Sequence, residues 1–300
     1  MKLLVVGSNG QLGWEVLNAA KDRGLECEGI DTPQFDITDR GAVERTVGRG
    51  EFSLIVNAAA YTAVDEAEVK RDEAFAVNAG GPGDLAFVCA KNHLPLIHIS
   101  TDYVFDGNKT SPYKESDPIC PIGTYGESKA AGEKAVREAL EAHVILRTSW
   151  LYSSHGNNFV KTILRLASER EELRVVADQY GCPTYAADLA AAIIDLAKQI
   201  SRRGSVQWGV YHYCGHGVTT WYGFAQQICQ LAKKHRALQV KRIEAISTEE
   251  YPTPARRPPY SALDCSKIKS VFSIQTRPWQ DSLAEMLARL FKSPPLFPLP

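Results

Sequence analysis

The sequence predicts an α/β fold: a doubly wound parallel sheet with a smaller C-terminal α/β lobe. Three features predict it. Short β-branched runs alternate with amphipathic stretches through the first half, the first run enters a glycine-spaced turn, and the alternation loosens after Trp150. Strands separated by helical segments pair in parallel through right-handed crossovers, and ligands of such sheets sit beyond the carboxyl ends of the strands.

Each element follows in order. Residues 3–6, Leu-Leu-Val-Val, form the first predicted strand, and a helix begins near Leu12. Strands follow at 27–30 and 54–57, then a helix over 73–91, a strand over 96–100, a helix over 125–141 and a strand over 144–150. Beyond these, 159–170, 186–199 and 221–234 read as helices, with a last helix ending near Phe291, and 174–177, 210–214 and 240–246 as strands. We therefore divide the chain into a dinucleotide-binding unit, 1–150, and a mainly substrate-binding lobe, 151–300, with segments returning to the first sheet. The stretch 251–259 holds four prolines and two arginines, too many breakers for a regular element, so it is predicted as a loop. The tail 293–300 carries four more prolines and is predicted to be mobile.

Bulk properties narrow the function. Hydrophobic residues make up 44% and charged residues 23% of 300, the composition of a soluble globular chain. Lys plus Arg number 34 against 35 Asp plus Glu, so no broad field attracts nucleic acid or anionic lipid, and neither is an expected partner. Phosphate recognition has to come from a local site. The seven cysteines stand singly, without metal-ligand spacing, which points to free thiols in a reducing cytoplasm. The apolar start is too short for a signal peptide or a membrane span.

Gly7, Gly10 and Gly13 lie directly between the first strand and first helix. Glycines there permit a tight turn, close approach of a pyrophosphate and close helix packing, while the helix N-terminus supplies amide donors, as in Rossmann dinucleotide-binding units. Asp31 ends the second strand, where a carboxylate can accept from the adenosine ribose. An acid there repels a 2′-phosphate and favours NADH, but Ser8 and Asn9 can still bond that phosphate, so both NADPH and NADH stay open.

Tyr125 and Lys129 are four residues apart at the start of a helix and so share a face. An ammonium beside a phenol stabilises the phenolate and brings its pKa toward working pH. Ser100-Thr101-Asp102 ends a central strand and faces the cleft. We assign Thr101 to the substrate carbonyl and Asp102 to a substrate hydroxyl; a simple turn is the other reading of these residues.

The spacing Gly-x-x-Gly-x-x-Gly, followed by Tyr-x-x-x-Lys, resembles the extended short-chain dehydrogenases/reductases. Longer phrases at 10–15, 56–65, 100–107, 147–152 and 251–258 resemble their members that reduce dTDP-linked 4-keto-6-deoxysugars. The resemblance implies that Gly10, Gln11, Leu12, Asp31, Asp36, Ile37, Ala60, Tyr61 and Thr62 line the cofactor with Tyr125 and Lys129. It also implies that Thr101, Asp102 and Trp150 face the sugar nucleotide. The reaction implied is NAD(P)H-dependent reduction of dTDP-4-dehydro-6-deoxy-L-mannose at C4, with Tyr125 donating the proton. Without the resemblance, Trp150 reads as core, and Asp36 with Ile37 as a turn. Arg256 and Arg257 either grip the substrate diphosphate or form a solvated pair. Gly123-Thr124 departs from the asparagine-containing turn common in the family, which puts the local geometry in question. Some relatives dimerise around Mg²⁺, so a homodimer and Mg²⁺ are carried as expectations although no residue set marks a metal site. A non-catalytic NADP-binding subunit like the beta subunit of methionine adenosyltransferase, or another nucleotide-sugar reductase or epimerase, stands as the alternative.

Overall fold

A computed structural model describes residues 1–202 and 206–292. The longer strands are β1 (Lys2–Val6), β2 (Glu26–Ile30), β3 (Leu54–Asn57), β4 (Leu96–Thr101), β5 (His143–Thr148), β6 (Glu172–Val176), β7 (Gly209–His212) and β8 (Arg242–Ile246). The longer helices are α1 (Gln11–Asp22), α2 (Arg40–Val47), α3 (Gly81–Lys91), α4 (Thr124–Ala139), α5 (Phe159–Glu169), α6 (Ala186–Arg202), α7 (Trp221–Ala232), α8 (Ser266–Phe272) and α9 (Trp279–Lys292).

The main sheet runs β7-β5-β4-β3-β1-β2, and every pairing is parallel. Strands of such a sheet are covered on both faces, which is why they read as unbroken apolar runs. Leu3 and Val5 pack on one side with α1 and α6, while Leu4 and Val6 pack on the other with residues of α2 and α3. The strand order reverses between β1 and β3, and a cleft opens there at the carboxyl ends. The sheet therefore includes β7, from beyond residue 150, and α6 packs along α1.

The second cluster of buried side chains joins α5, α7 and α9 beside the parallel pair β6 and β8. Two-residue strands hold its edge to the site: Leu151–Tyr152 pairs with Thr184–Tyr185, and Tyr180–Gly181 with Thr219–Thr220. No helix among the described residues is long and apolar enough to cross a membrane. The tail 293–300 lies outside the described residues.

The sequence reading misses α2 and α8, whose few buried side chains leave little periodicity: α2 buries Val43 and Val47, and α8 buries Ile268 and Phe272. It also draws one helix where the chain makes three. Arg71–Phe75 passes through a π-helical turn at Ala76–Gly80 before α3. The wide turn suits Asn78, whose side chain bonds Tyr61 N (2.9 Å), Tyr61 O (3.1 Å) and Ser128 Oγ (3.0 Å).

Candidate active site

A cavity of about 850 Å³ opens at the carboxyl ends of the central strands. Its floor at one end is the turn after β1. Gly7 has φ +84°, and a Cβ there would stand 2.5 Å from Ala59 N. Gly10 is the N-cap of α1 and provides no side-chain cap, so the amides at the helix start keep their donors for a ligand. Asp31 staples this turn, since its Oδ2 accepts from Asn9 N at 2.7 Å and its Oδ1 from Thr32 N at 2.8 Å. The residues thus fit a dinucleotide: a side-chain-free cradle, free amide donors and an acid at the ribose end. Apart from Lys129, no lysine or arginine among the described residues lines this cavity, whose lining also includes the Asp31 and Asp36 side chains.

The opposite wall carries the polar chemistry. Lys129 is 2% exposed and donates to Ile99 O at 2.6 Å. Burial pulls its pKa down to about 8, opposed by the negative charge of Glu133. Burial also pushes the Tyr125 phenol up to about 12, partly offset by its hydrogen bond to the Thr101 side chain. The lowered phenol pKa expected from the sequence is thus not found in the free protein: burial and the Asp102 charge raise it, only the Thr101 bond opposes them, and the Lys129 amine bonds the strand. Thr101 Oγ1 donates to Asp102 Oδ1 at 3.0 Å and accepts from Tyr103 N at 3.2 Å. The turn at Gly123-Thr124 is closed by Glu68, which accepts from Thr124 N (2.8 Å) and Thr124 Oγ1 (3.0 Å) and so caps α4 from outside.

Asp102 gives a pH prediction. Burial pushes its pKa up to about 7 against hydrogen bonds from Ser261 and Thr101. A carboxyl whose pKa rises on folding holds its proton more tightly when folded. Its contribution is therefore fully favourable below the ordinary value of about 4 and is lost as pH climbs toward 7, a change of a few kcal/mol. Asp102→Asn carries no such charge, so its Tm relative to the unsubstituted protein is expected to rise between about pH 5 and pH 8. Parallel Tm curves over that range would remove this account.

Most of the residues singled out in the sequence line this one cavity: Gly7, Gly10, Gln11, Leu12, Asp31, Asp36, Ile37, Ala60, Thr62, Thr101, Asp102, Tyr125, Lys129 and Trp150. Four do not. Gly13 lies behind the turn, where α1 crosses the Gly7 carbonyl. Tyr61 turns outward to bond Glu66 Oε2 at 3.3 Å. Arg256 is exposed, and Arg257 is spent on Asp65 (2.8 Å) and the Ala255 carbonyl, so neither guanidinium reaches the cavity in the free protein. Among the described residues, no three or more His, Cys, Asp or Glu side chains converge as metal ligands, which leaves the Mg²⁺ expectation without support.

The structure adds residues that local sequence did not single out. Trp221 stacks on Trp150 with ring centroids 3.5 Å apart, and Phe159 and Phe224 continue this aromatic wall. Trp150 has φ +47°, and its indole presses on Gly181, where a Cβ would stand 2.4 Å away. A strap after Trp150 crosses the glycine turn through three hydrogen bonds: Ser153 Oγ to Glu15 (2.7 Å), His155 Nε2 with Asn9 O (2.9 Å) and Asn158 Nδ2 to Gln11 (2.9 Å). A tryptophan opening a helix was the available signal for Trp221; the strap had none.

Comparison with known proteins agrees with this geometry. The model of the RmlD substrate binding domain family matches residues 1–292. A dTDP-4-dehydrorhamnose reductase of Aggregatibacter actinomycetemcomitans is 42% identical, covering 96% of this chain and 98% of the relative. That of Escherichia coli K12 is 40% identical, covering 97% and 98%. A crystal structure of the Bacillus anthracis dTDP-4-dehydrorhamnose reductase in complex with NADP superposes with a TM-score of 0.90 at 37% identity, covering 96% of this chain and all of that one. The chain therefore belongs to the RmlD family of oxidoreductases, the dTDP-4-dehydrorhamnose reductases.

Proposed function

We propose that this protein reduces dTDP-4-dehydro-6-deoxy-L-mannose at C4 to dTDP-L-rhamnose with NADPH or NADH. The observation that carries the reading is the meeting of Tyr125, Lys129 and Thr101 with the glycine turn on the wall of one cavity. The cofactor, when bound, supplies the hydride. Gly7, Gly10 and the free amides at the start of α1 take its pyrophosphate, while Asp31 with Asn9 faces the adenosine ribose. Lys129, buried on the cavity wall, would hold the ribose next to the nicotinamide. Thr101 orients the carbonyl through its hydroxyl. Tyr125, kept protonated by burial, holds the proton that goes to the C4 oxygen. The charge left on the phenol is then stabilised by the Lys129 ammonium, with no covalent intermediate. Trp150 and Trp221 bound the sugar nucleotide on the other side, and the aromatic stack sets how far it enters.

Mixing the purified protein with the keto-sugar and either cofactor tests the reading. Nicotinamide absorbance is expected to fall in proportion to product formed with at least one of the two. Absence of turnover with both would reject it and return the non-catalytic alternative to first place.

A further inference from the structure

Glu133 and Arg147 lie 0% and 1% exposed beneath the site, and their side chains form a two-pronged ion pair. Oε1 of Glu133 accepts from Arg147 Nε at 2.7 Å and Oε2 from Nη2 at 2.6 Å. A buried pair of this kind is often no more stabilising than apolar side chains of similar volume, so its retention calls for another account.

Its neighbours supply one. Glu133 is one helical turn beyond Lys129 and two beyond Tyr125, so all three share a face of α4. Its Oε1 also accepts from Ser100 Oγ at 2.6 Å, while Lys129 donates to Ile99 O at 2.6 Å. The two residues that precede Thr101 are therefore each gripped by the helix that carries Tyr125. Arg147 is anchored in turn, with Nη1 3.4 Å from His212 Nε2 and its guanidinium over the Phe105 ring. Around Lys129 stand Tyr125 and Glu133 on its own helix and His98 on β4, while Arg147 and His143 on β5 lie against Glu133 and His98 respectively. Burial keeps His98 and His143 neutral near pH 7.

Resting on the reductase reading, we propose that Glu133, clamped by Arg147, is a positioning residue of the reaction. It fixes the strand end Ile99–Thr101 in register with Tyr125 and sets a buried carboxylate one helical turn from Lys129, as a counter-charge to its ammonium.

The test pairs a titration with kinetics. Glu133→Gln leaves Arg147 buried without a partner and can fail to fold, so the decisive variant is Glu133→Gln combined with Arg147→Met, which removes both charges together. Lys129 is titrated by NMR of ¹³C-labelled lysine, which needs no substrate. Its pKa is expected to fall by about half a unit in the double variant, less than the effect of a lone nearby charge, because the opposing Arg147 charge is removed with that of Glu133. The high-pH limb of kcat is expected to move down with it, giving about a threefold loss at a pH on that limb. Arg147→Lys keeps the charges and loses the fork, so it is expected to lower kcat with the limb in place. An unmoved Lys129 titration in a folded double variant overturns the proposal, whatever its kcat. A moved titration in a protein without reductase turnover keeps the counter-charge role and rejects the reductase reading instead.

Discussion

Tyr125→Phe is expected to lower kcat by about 10²- to 10⁴-fold while leaving the cofactor Kd unchanged, because a positioned proton donor typically contributes that much. The substitution removes one oxygen. The ring keeps its edge contact with Tyr103, at 5.6 Å between centroids, and the Lys129 bond to Ile99 O does not involve it. What is lost is the hydrogen bond to Thr101 and the proton for the C4 oxygen. Single-turnover measurement of hydride transfer, with cofactor binding followed by fluorescence, separates the two effects. Turnover close to that of the unsubstituted protein would mean that the proton comes from another group. Asp102, pushed up to about 7 and bonded to Thr101, would then be the first to examine.

Much of this was legible in the chain because its signals are local. Residues 3–6 bury alternate side chains on the two faces of the sheet, so an unbroken apolar run announces a central parallel strand before any partner is known. The glycine turn and the Tyr125-Lys129 spacing are likewise contained within one turn or one helical step. What escaped depends on distant partners. Arg257 looks free in the sequence and is held by Asp65, 192 residues away. Trp221 meets Trp150 only because α7 returns to the cleft. The direction of the Tyr125 shift was missed for the same reason, since desolvation is set by the whole wall around it and the sequence displays only the lysine beside it. Glu133 occupies an intermediate position. Its place four residues after Lys129 was visible, but its partners Ser100 and Arg147 were not.

Gly13→Val is expected to abolish detectable cofactor binding and to lower Tm. A Cβ at Gly13 would stand 2.1 Å from Gly7 O and 2.7 Å from Ser8 Cα, and both are backbone atoms that no rotamer change can move aside. Either α1 withdraws from the turn or the turn opens. Withdrawal strains the packing of α1 against α6 at a cost of about 1–3 kcal/mol or more, and it carries the uncapped amides of the helix start away from the pyrophosphate. A displacement of about 1 Å in such a site is enough for roughly a hundredfold loss. Gly10→Ala separates the two effects. Its φ of −70° suits alanine, and the nearest atom to the new methyl is Gly7 O at 3.4 Å, so the fold tolerates it while the methyl enters the anion cradle. Gly10→Ala is therefore expected to keep the Tm and weaken cofactor binding, and Gly13→Val to lose both. A Gly13→Val protein with unaltered Tm and cofactor affinity would show that the close crossing of helix and strand is not what shapes the dinucleotide site.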